Sequence, residues 1–183
     1  PLPLQLSVSG EITFTGSSKD FAGSAALTLG PGSAYGESFS KGSLAITLSP
    51  ERVSFPQLVL QKGAGVVKGN GWIDFKGAYA ALLTSRGVDL SEVDHLSGIA
   101  LSGIFDLDID SSGSFSAPQA KSTLALDDLK YRQVGMGNGK ATLAIVAGKL
   151  TVDADLINGK ARLAGSMDLH APYAWSAGAD VRS

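Results

Sequence analysis

Apolar and polar residues alternate with a period of two along nearly the whole chain. Successive side chains of a β-strand point to opposite faces, so this pattern predicts strands with one apolar and one polar face. Its clearest apolar positions are Leu4, Leu6, Val8, Ile12, Phe14, Leu44, Ile46, Leu48, Ile73, Phe75, Phe105, Leu107, Ile109, Leu124, Leu126, Leu143, Ile145, Leu150 and Val152. We therefore expect an all-β fold of about a dozen antiparallel strands with almost no helix.

Turn-forming residues separate these runs and predict where the strands end. Glycine, asparagine and proline are favoured in turns, and Asn-Gly is the strongest short hairpin signal. The predicted turns are Gly30-Pro31-Gly32, Gly42, Ser49-Pro50, Gly69-Asn70-Gly71, Gly113, Gly137-Asn138-Gly139, Asn158-Gly159 and Gly165.

One short helix is predicted over residues 91–96. Ser91 and Asp94 have the spacing of a capping box, and Gly98 follows as a stop signal. Helix propensity is also high at 79–86, but an internal repeat makes Tyr79 equivalent to Tyr173, which follows Pro172. Because Pro172 disfavours a helix interior around Tyr173, the equivalence leads us to expect that residues 79–86 form a strand.

The chain matches itself at an offset of 97 residues, and at 94 after a three-residue gap. The matched pairs are Leu27 and Leu124, Leu29 and Leu126, Gly42 and Gly139, Ile46 and Leu143, Leu48 and Ile145, Val53 and Leu150, Phe55 and Val152, Gly71 and Gly165, Asp74 and Asp168, and Tyr79 and Tyr173. A unit of about 95 residues, present nearly twice, predicts an elongated stacked architecture. The expected units are a first repeat at 1–86, a connecting segment at 87–98 and a second repeat at 99–183.

The amino-acid composition excludes several classes of protein. The 23 glycines could suggest disorder, but 44% of the residues are hydrophobic and 17% are charged, which fits short strands better than a disordered chain or a helix bundle. The net charge is −2 and the sequence contains no cluster of basic residues, so we expect no nucleic-acid partner. The absence of cysteine excludes disulfides and zinc–cysteine sites. The chain begins at Pro1 in mid-pattern, which favours an internal segment of a longer protein.

Candidate catalytic and metal-binding groups are sparse. His95 and His170 lie in unrelated contexts, and no nucleophile elbow is present. The aspartates at 106, 108 and 110 alternate with apolar residues, and the glycine and glutamate required of an EF-hand are missing, so a polar strand face explains them. Gly63-Ala64-Gly65 and Gly135-Met136-Gly137 lack the context of a phosphate loop. We expect no enzymatic activity, no cofactor and no metal.

The apolar face of the predicted sheet is the feature of the sequence that indicates a function. An amphipathic sheet needs a cover for its hydrophobic side, and the chain has no long amphipathic helix to supply one. Two arrangements follow from the residues. Either a second sheet closes a dry core, as in a sandwich or β-solenoid, or the sheet curls and leaves an apolar groove, a feature that is usually functional.

A family resemblance bears on this choice. The repeat resembles that of TamB-like proteins in the AsmA-like superfamily of Gram-negative cell envelopes, through Gly113-Ser114-Phe115, Pro118, Leu124-Ala125-Leu126, Leu129-Lys130-Tyr131, Gly139, Gly148-Lys149-Leu150, Gly159-Lys160, Gly165-Ser166-Met167-Asp168-Leu169 and Pro172-Tyr173. The first copy, residues 10–79, shows the pattern more loosely, with Pro50 in place of a turn glycine and a longer loop at 61–65.

The resemblance implies a fold and a function. The fold would be an elongated, curled antiparallel sheet that forms an open hydrophobic groove, with a β-taco shape. The protein would lie in the periplasm, with an inner-membrane anchor outside this segment, and would conduct phospholipid acyl chains toward the outer membrane. A TamA-like outer-membrane barrel would be its partner. The alternative is a scaffold or chaperone module for the assembly or secretion of outer-membrane and autotransporter proteins.

The residues expected to line the groove come from the alternating runs. They are Leu27, Leu29, Leu44, Ile46, Leu48, Val53, Phe55, Ile73, Phe75, Leu124, Leu126, Leu143, Ile145, Leu150, Val152, Leu163, Met167 and Leu169.

Overall fold

Thirteen strands account for most of the chain in the computed structural model, which describes residues 4–17 and 20–182. The strands are β1 (Leu4–Gly16), β2 (Phe21–Ala34), β3 (Glu37–Phe39), β4 (Lys41–Leu48), β5 (Arg52–Lys62), β6 (Gly65–Asp74), β7 (Ala78–Asp89), β8 (Leu101–Ser114), β9 (Ala117–Tyr131), β10 (Val134–Val146), β11 (Lys149–Leu156), β12 (Ala161–Asp168) and β13 (Trp175–Val181). The expectation of an all-β fold is confirmed.

All thirteen strands belong to one curled, open antiparallel sheet. Strand order follows chain order from β1 to β13, except that the short β3 pairs with β2 alone. Tight turns join most neighbours, since an antiparallel pair needs only a short connection. Residues 79–86 lie within β7, as expected.

The sheet is a single layer. Extensive contacts join neighbouring strands, and over the described residues no second sheet or helical layer covers either face. The accessible surface is 11,713 Å², whereas a compact monomer of this mass exposes about 8,300 Å². Few apolar side chains among the described residues are buried, namely Leu29, Phe39, Val88, Leu90 and Ala154, and of these Val88 alone is fully buried. The described part of the chain therefore does not enclose a dry core like that of a sandwich.

Cross-strand register places the alternating apolar residues on one side of the sheet. Leu27 lies opposite Leu44, and Leu143 opposite Val152. Directly opposed residues share a face, and a slip by one residue would send a whole strand's apolar set to the other face. We call the side that carries Leu27 and Leu143 the apolar face, and the other side the polar face.

Most of the predicted glycine turns are wrong. Gly30-Pro31-Gly32 lies within β2, Gly42 in β4, Gly69-Asn70-Gly71 in β6, Gly113 in β8, Gly137-Asn138-Gly139 in β10 and Gly165 in β12. Ser49-Pro50 and Asn158-Gly159 do lie between strands. The chain turns instead at residues with positive φ, such as Tyr35 (52°) with Gly36 (82°) and Arg132 (48°) with Gln133 (69°). The loop expected to be long at 61–65 is a tight turn at Gly63-Ala64.

The predicted helix at 91–96 is replaced by two short 3₁₀ turns, Leu90–Glu92 and Asp94–Leu96. The first is capped by Asp89, whose carboxylate accepts a hydrogen bond from the Ser91 amide at 2.8 Å. Val93 between the turns is extended and so interrupts helical hydrogen bonding. Residues 90–97 form what we call the rim segment, which crosses from the end of β7 toward β3.

Candidate binding face

The predicted lining residues lie together on the apolar face, apart from two. Register connects them from β2 and β4 through β5 and β6, and again from β9 through β12. Phe75 lies in the β6–β7 turn and Leu169 lies beyond the end of β12. The side chains on strands are mostly half-buried, because each contacts its cross-strand neighbours while its outer side remains uncovered.

Three shallow hollows follow one another along the apolar face. The middle one, about 400 Å³, is lined by Leu44, Phe55, Leu58, Gly69, Gly71, Ile73, Tyr79, Ala81, Leu83 and Phe115, among others. A hollow of about 250 Å³ lies toward β1, beside Ile12, Phe14, Leu27, Ile46 and Val53. One of about 290 Å³ lies toward β13, beside Leu150, Val152, Leu163, Met167 and Trp175. The apolar surface therefore extends across both halves of the sheet.

Strand glycines shape these hollows. Gly71 lies opposite Phe55 and Gly165 opposite Val152, so each leaves a gap on the apolar face beside a larger side chain. A Cβ at Gly71 would lie 2.6 Å from the Ala80 carbonyl oxygen, and one at Gly139 would lie 2.9 Å from Leu156 Cδ2. The contact at Gly71 is with the backbone and leaves no room for a side chain, whereas the Leu156 side chain beside Gly139 can shift. These glycines therefore shape the apolar face and do not form turns.

Several residues of the hollows were missed by the sequence reasoning. Leu58 and Leu83 lie on the apolar face, and Phe115 stacks on Tyr79 with ring centroids 5.5 Å apart. The pairing of β5 with β6 shifts between Phe55 and Leu58, so a simple period of two does not carry across this irregularity. The alternation at Phe105, Leu107 and Ile109 was visible and could have extended the predicted set.

Charges concentrate on the polar face. Asp106, Asp108 and Asp110 lie there, opposite Ala125, Thr123 and Lys121. Asp108 pairs with Arg86 at 2.5 Å, and Asp106 accepts a hydrogen bond from the Gly87 amide at 2.8 Å. A hollow of about 470 Å³ beside Asp106, Asp127, Lys140 and Asp155 is larger than any of the three apolar ones. Ile104, Ala125 and Leu126 also line it, and its four charged residues distinguish it from the three apolar hollows.

An ionic cluster fixes the rim segment at one end of the strands. Lys62 Nζ lies 2.9 Å from both Glu37 Oε2 and Asp94 Oδ2. Asp94 also accepts hydrogen bonds from the amide and hydroxyl of Ser38, each at 2.7 Å. Glu37 accepts bonds from the amides of Asp94 and His95 at 3.1 and 3.0 Å, and its Oε1 lies 2.5 Å from His95 Nδ1. His95 is therefore part of a structural network rather than isolated.

The cluster depresses the pKa values of its carboxyl groups. Burial opposes the ionisation of Glu37, but hydrogen bonds from Lys62 and His95 outweigh it and lower the pKa to about 2. The Ser38 amide, followed by Lys62, lowers the pKa of Asp94. Burial likewise opposes the charge on Lys62, yet its hydrogen bonds to Glu37 and Asp94 raise its pKa. All three groups are therefore charged near neutral pH.

Acid is expected to release the rim segment. Depressed carboxyl pKa values contribute stability above the unfolded-state pKa, 4.5 for Glu37, and that stability disappears as the pH falls toward about 2. Amide hydrogen-exchange protection at Asp94 and His95 should therefore fall across this window, while protection at Thr142 in β10 persists. In Glu37→Gln, protection at Asp94 and His95 should be low even at pH 7. Unchanged protection at both residues down to pH 2 would contradict this expectation.

No helix among residues 4–17 and 20–182 is long and apolar enough to cross a membrane. The features of the described residues that bear on function are the single-layer sheet, its apolar face and the rim cluster. Comparison with protein-family models, curated proteins and solved structures finds no match for this chain.

Proposed function

We propose that this chain is a periplasmic segment of a TamB-like cell-envelope protein, and that its apolar face is a groove for phospholipid acyl chains. One observation carries the proposal: the apolar face runs across the sheet without a second layer over the described residues. Hydrocarbon is a chemically suitable cover for such a face. A soluble monomer seldom exposes a continuous apolar surface of this extent without a binding partner.

Acyl chains suit shallow hollows better than compact ligands do. Each methylene removed from water contributes about 0.8 kcal/mol, so many weak contacts hold a chain without one deep pocket. The three hollows have almost wholly apolar walls and lie in sequence along the face. Because their walls are open, a lipid headgroup can remain in water while its tail lies against leucine, isoleucine and valine.

The strand irregularities support a curled groove. Register shifts occur between Leu6 and Val8, between Phe55 and Leu58, and between Ser102 and Ile104. An unpaired residue bends its strand and increases the local twist. Bends distributed over neighbouring strands curve the whole sheet, with the apolar face on the inside and the charged side chains in water.

A repeated six-strand unit also supports the proposal. At an offset of 97, β1 corresponds to β8, β2 to β9 and β4 to β10, and cross-strand pairs are conserved. Val8 opposite Leu29 becomes Phe105 opposite Leu126, and Leu48 opposite Val53 becomes Ile145 opposite Leu150. Two copies would extend one groove by repetition, with the rim segment between them.

Backbone geometry recurs at the same offset. The φ angles are 112° at Gly16 and 118° at Gly113, and 52° at Tyr35 and 48° at Arg132. One sequence match does not hold: Trp175 lies opposite Met167 as Tyr79 lies opposite Ile73, whereas Tyr173 lies in a turn. β13 therefore corresponds to β7 at an offset of 96.

Site-specific photocrosslinking in cells tests the proposal. A photoreactive residue at Ile46, Leu143 or Val152 should capture phospholipid, because these positions lie on the apolar face. The same residue at Thr47 or Asp153, on the polar face, should not. Equal labelling of the two sets would contradict a lipid groove.

The uncovered apolar face also suits a second function, a scaffold that receives strands of outer-membrane or secreted proteins with a TamA-like partner. Polypeptide adducts without phospholipid in the same crosslinking experiment would favour this function over lipid conduction.

A further inference from the structure

The rim segment lies over one end of the apolar face. Val88 immediately precedes it on that face, pairs with Phe105 of β8 and is fully buried. Leu90 begins the segment, is 9% exposed, and belongs to a turn that lies against β8. Most side chains on the strands of the apolar face are only half-buried, because their outer sides are uncovered. The rim segment therefore adds local cover that most of this face does not have.

Beyond Leu90 the segment crosses back over the first six-strand unit on the same side of the sheet. Lys62, the centre of the ionic cluster, lies two residues beyond Leu60 on β5 and so shares the apolar side. Glu92 lies over the β5–β6 turn, since a Cβ added at Gly63 would be 2.6 Å from its carboxyl carbon. The second 3₁₀ turn then contacts β3. The chain thus leaves β7, passes β5 and β3, and returns to β8.

The two turns of the rim segment are held in different ways. Leu90 fixes the first turn by burial, whereas the second turn, Asp94–Leu96, has no buried side chain. The second turn is held by the bonds that Asp94 makes with Ser38 and Lys62. Ion pairs that remain open to water are weak compared with apolar burial. The second turn can therefore detach without moving any buried apolar side chain into water.

Glycines lie at both ends of the segment. Gly87 has a φ of 65°, and a Cβ added at Gly87 or at Gly98 would meet nothing within 4 Å. Gly87 also lies at the register shift between Ser85 and Val88, where the pairing of β7 with β8 is already irregular. Residues at the ends of a moving element absorb its changes in φ and ψ, and glycine does so at low steric cost. Both positions suit hinges.

We propose that the rim segment is a strap that opens and closes over the apolar face, with the ionic cluster as its fastening. In the closed strap Leu90 lies against β8, next to the place where Ser85 faces Leu107. Ser85 is 2% exposed, and its hydroxyl has no hydrogen-bond partner among the described residues. Opening withdraws Leu90 and uncovers this end of the face.

The strap acts as a gate for acyl chains, and this role rests on the proposed lipid function. An acyl chain that takes the place of Leu90 replaces one hydrocarbon surface with another, so the exchange keeps apolar area out of water. A chain whose binding-competent state is rarely populated binds its ligand more weakly in proportion. Fastening the strap should therefore weaken lipid binding, and releasing it should strengthen lipid binding.

Thiol accessibility tests the movement of the strap, because the chain has no native cysteine. Ser85→Cys changes one atom, and its thiol should react slowly with a maleimide while the strap is closed. Lys62→Met removes the cation shared by Glu37 and Asp94, and it should raise that rate by about tenfold or more. Lys68→Met, on the polar face of β6, should leave the rate unchanged.

A second thiol separates opening of the strap from general loosening of the sheet. Ala154 is 5% exposed and lies opposite Ala141 on the apolar face, within the second unit. The thiol of Ala154→Cys should react at the same slow rate with and without Lys62→Met. A Ser85→Cys thiol that does not respond to Lys62→Met, or equal acceleration at both thiols, would overturn the strap.

A disulfide lock tests the gate. Ser38 Oγ donates to Asp94 Oδ2 at 2.7 Å, so cysteines at these two positions lie close enough to form a disulfide. The oxidised double variant keeps the strap closed, whereas the reduced form has lost the Asp94 carboxylate. The reduced form should extract several-fold more phospholipid from phosphatidylcholine vesicles, and the wild-type chain should extract equal amounts under both redox conditions.

The two experiments distinguish failure of the gate from failure of the lipid function. Equal extraction by the oxidised and reduced forms would overturn the gate and leave the lipid groove in place. Extraction by neither form, with a Ser85→Cys thiol that still responds to Lys62→Met, would overturn the lipid groove and the gate together, and the movement of the strap would stand.

Discussion

Leu143→Arg is expected to reduce phospholipid binding by about tenfold or more while the sheet stays folded. Leu143 lies on the apolar face of β10, opposite Ser122 on one side and Val152 on the other. A guanidinium there places an unpaired charge against hydrocarbon, which is unfavourable. Because the side chain is only half-buried, the long arginine can extend its charged end to water and spare the fold.

The matched control is Thr142→Arg, one residue earlier on the polar face. It adds the same charge to the same strand and should leave lipid binding unchanged. The measurement is the amount of phospholipid that copurifies with each chain, quantified by mass spectrometry, with circular dichroism as the check of folding. Unfolding of Leu143→Arg alone would indicate a closed dry core, and equal lipid in both variants would contradict the groove.

Val88→Asp, near the end of β7, is expected to be strongly destabilising. Val88 is 0% exposed, and a Cβ on Gly65 would lie 2.5 Å from its Cγ2 atom, so the side chain fills the space that this glycine leaves. A carboxylate there has neither water nor a partner, and the cost is about 3 kcal/mol or more. Val88→Ala removes two buried carbons and should cost about 2 kcal/mol.

Urea unfolding followed by circular dichroism measures these differences. Val134→Asp is the control, since Val134 begins β10 and is 67% exposed; its effect should lie within about 0.5 kcal/mol of zero. A Val88→Asp variant as stable as Val134→Asp would show that the end of β7 and the rim segment contribute little to folding.

The fold class and the two faces of the sheet could be predicted because the period of two that is typical of strands is visible in the sequence. Leu44, Ile46 and Leu48 alternate with the smaller Ala45 and Thr47, and register places Leu44 opposite Leu27 on β2. Alternation cannot show whether a second layer covers the face, because a sandwich strand and a groove strand carry the same pattern. In the structure the sheet is a single layer, and no second layer covers the apolar face of the described residues.

The glycines and the rim cluster could not be predicted for two different reasons. Gly69 and Gly71 resemble turn signals in the sequence, yet both lie within β6. A glycine that leaves space on one face of a strand cannot be distinguished in the sequence from a glycine that permits a turn. Glu37 and His95 are 58 positions apart, and their contact arises only when the rim segment folds toward β3. Local patterns carry no information about such a contact.

The central claim is that acyl chains lie against one face of the sheet and not the other. Methyl NMR of the chain with phospholipid spin-labelled on its acyl tail tests this most directly. We expect strong broadening of the methyl signals of Ile46, Leu143 and Val152 on the apolar face. The matched signal is that of Val146, an apolar side chain on the polar face that is 60% exposed, and it should remain sharp. Equal broadening on both faces would contradict an acyl-chain groove.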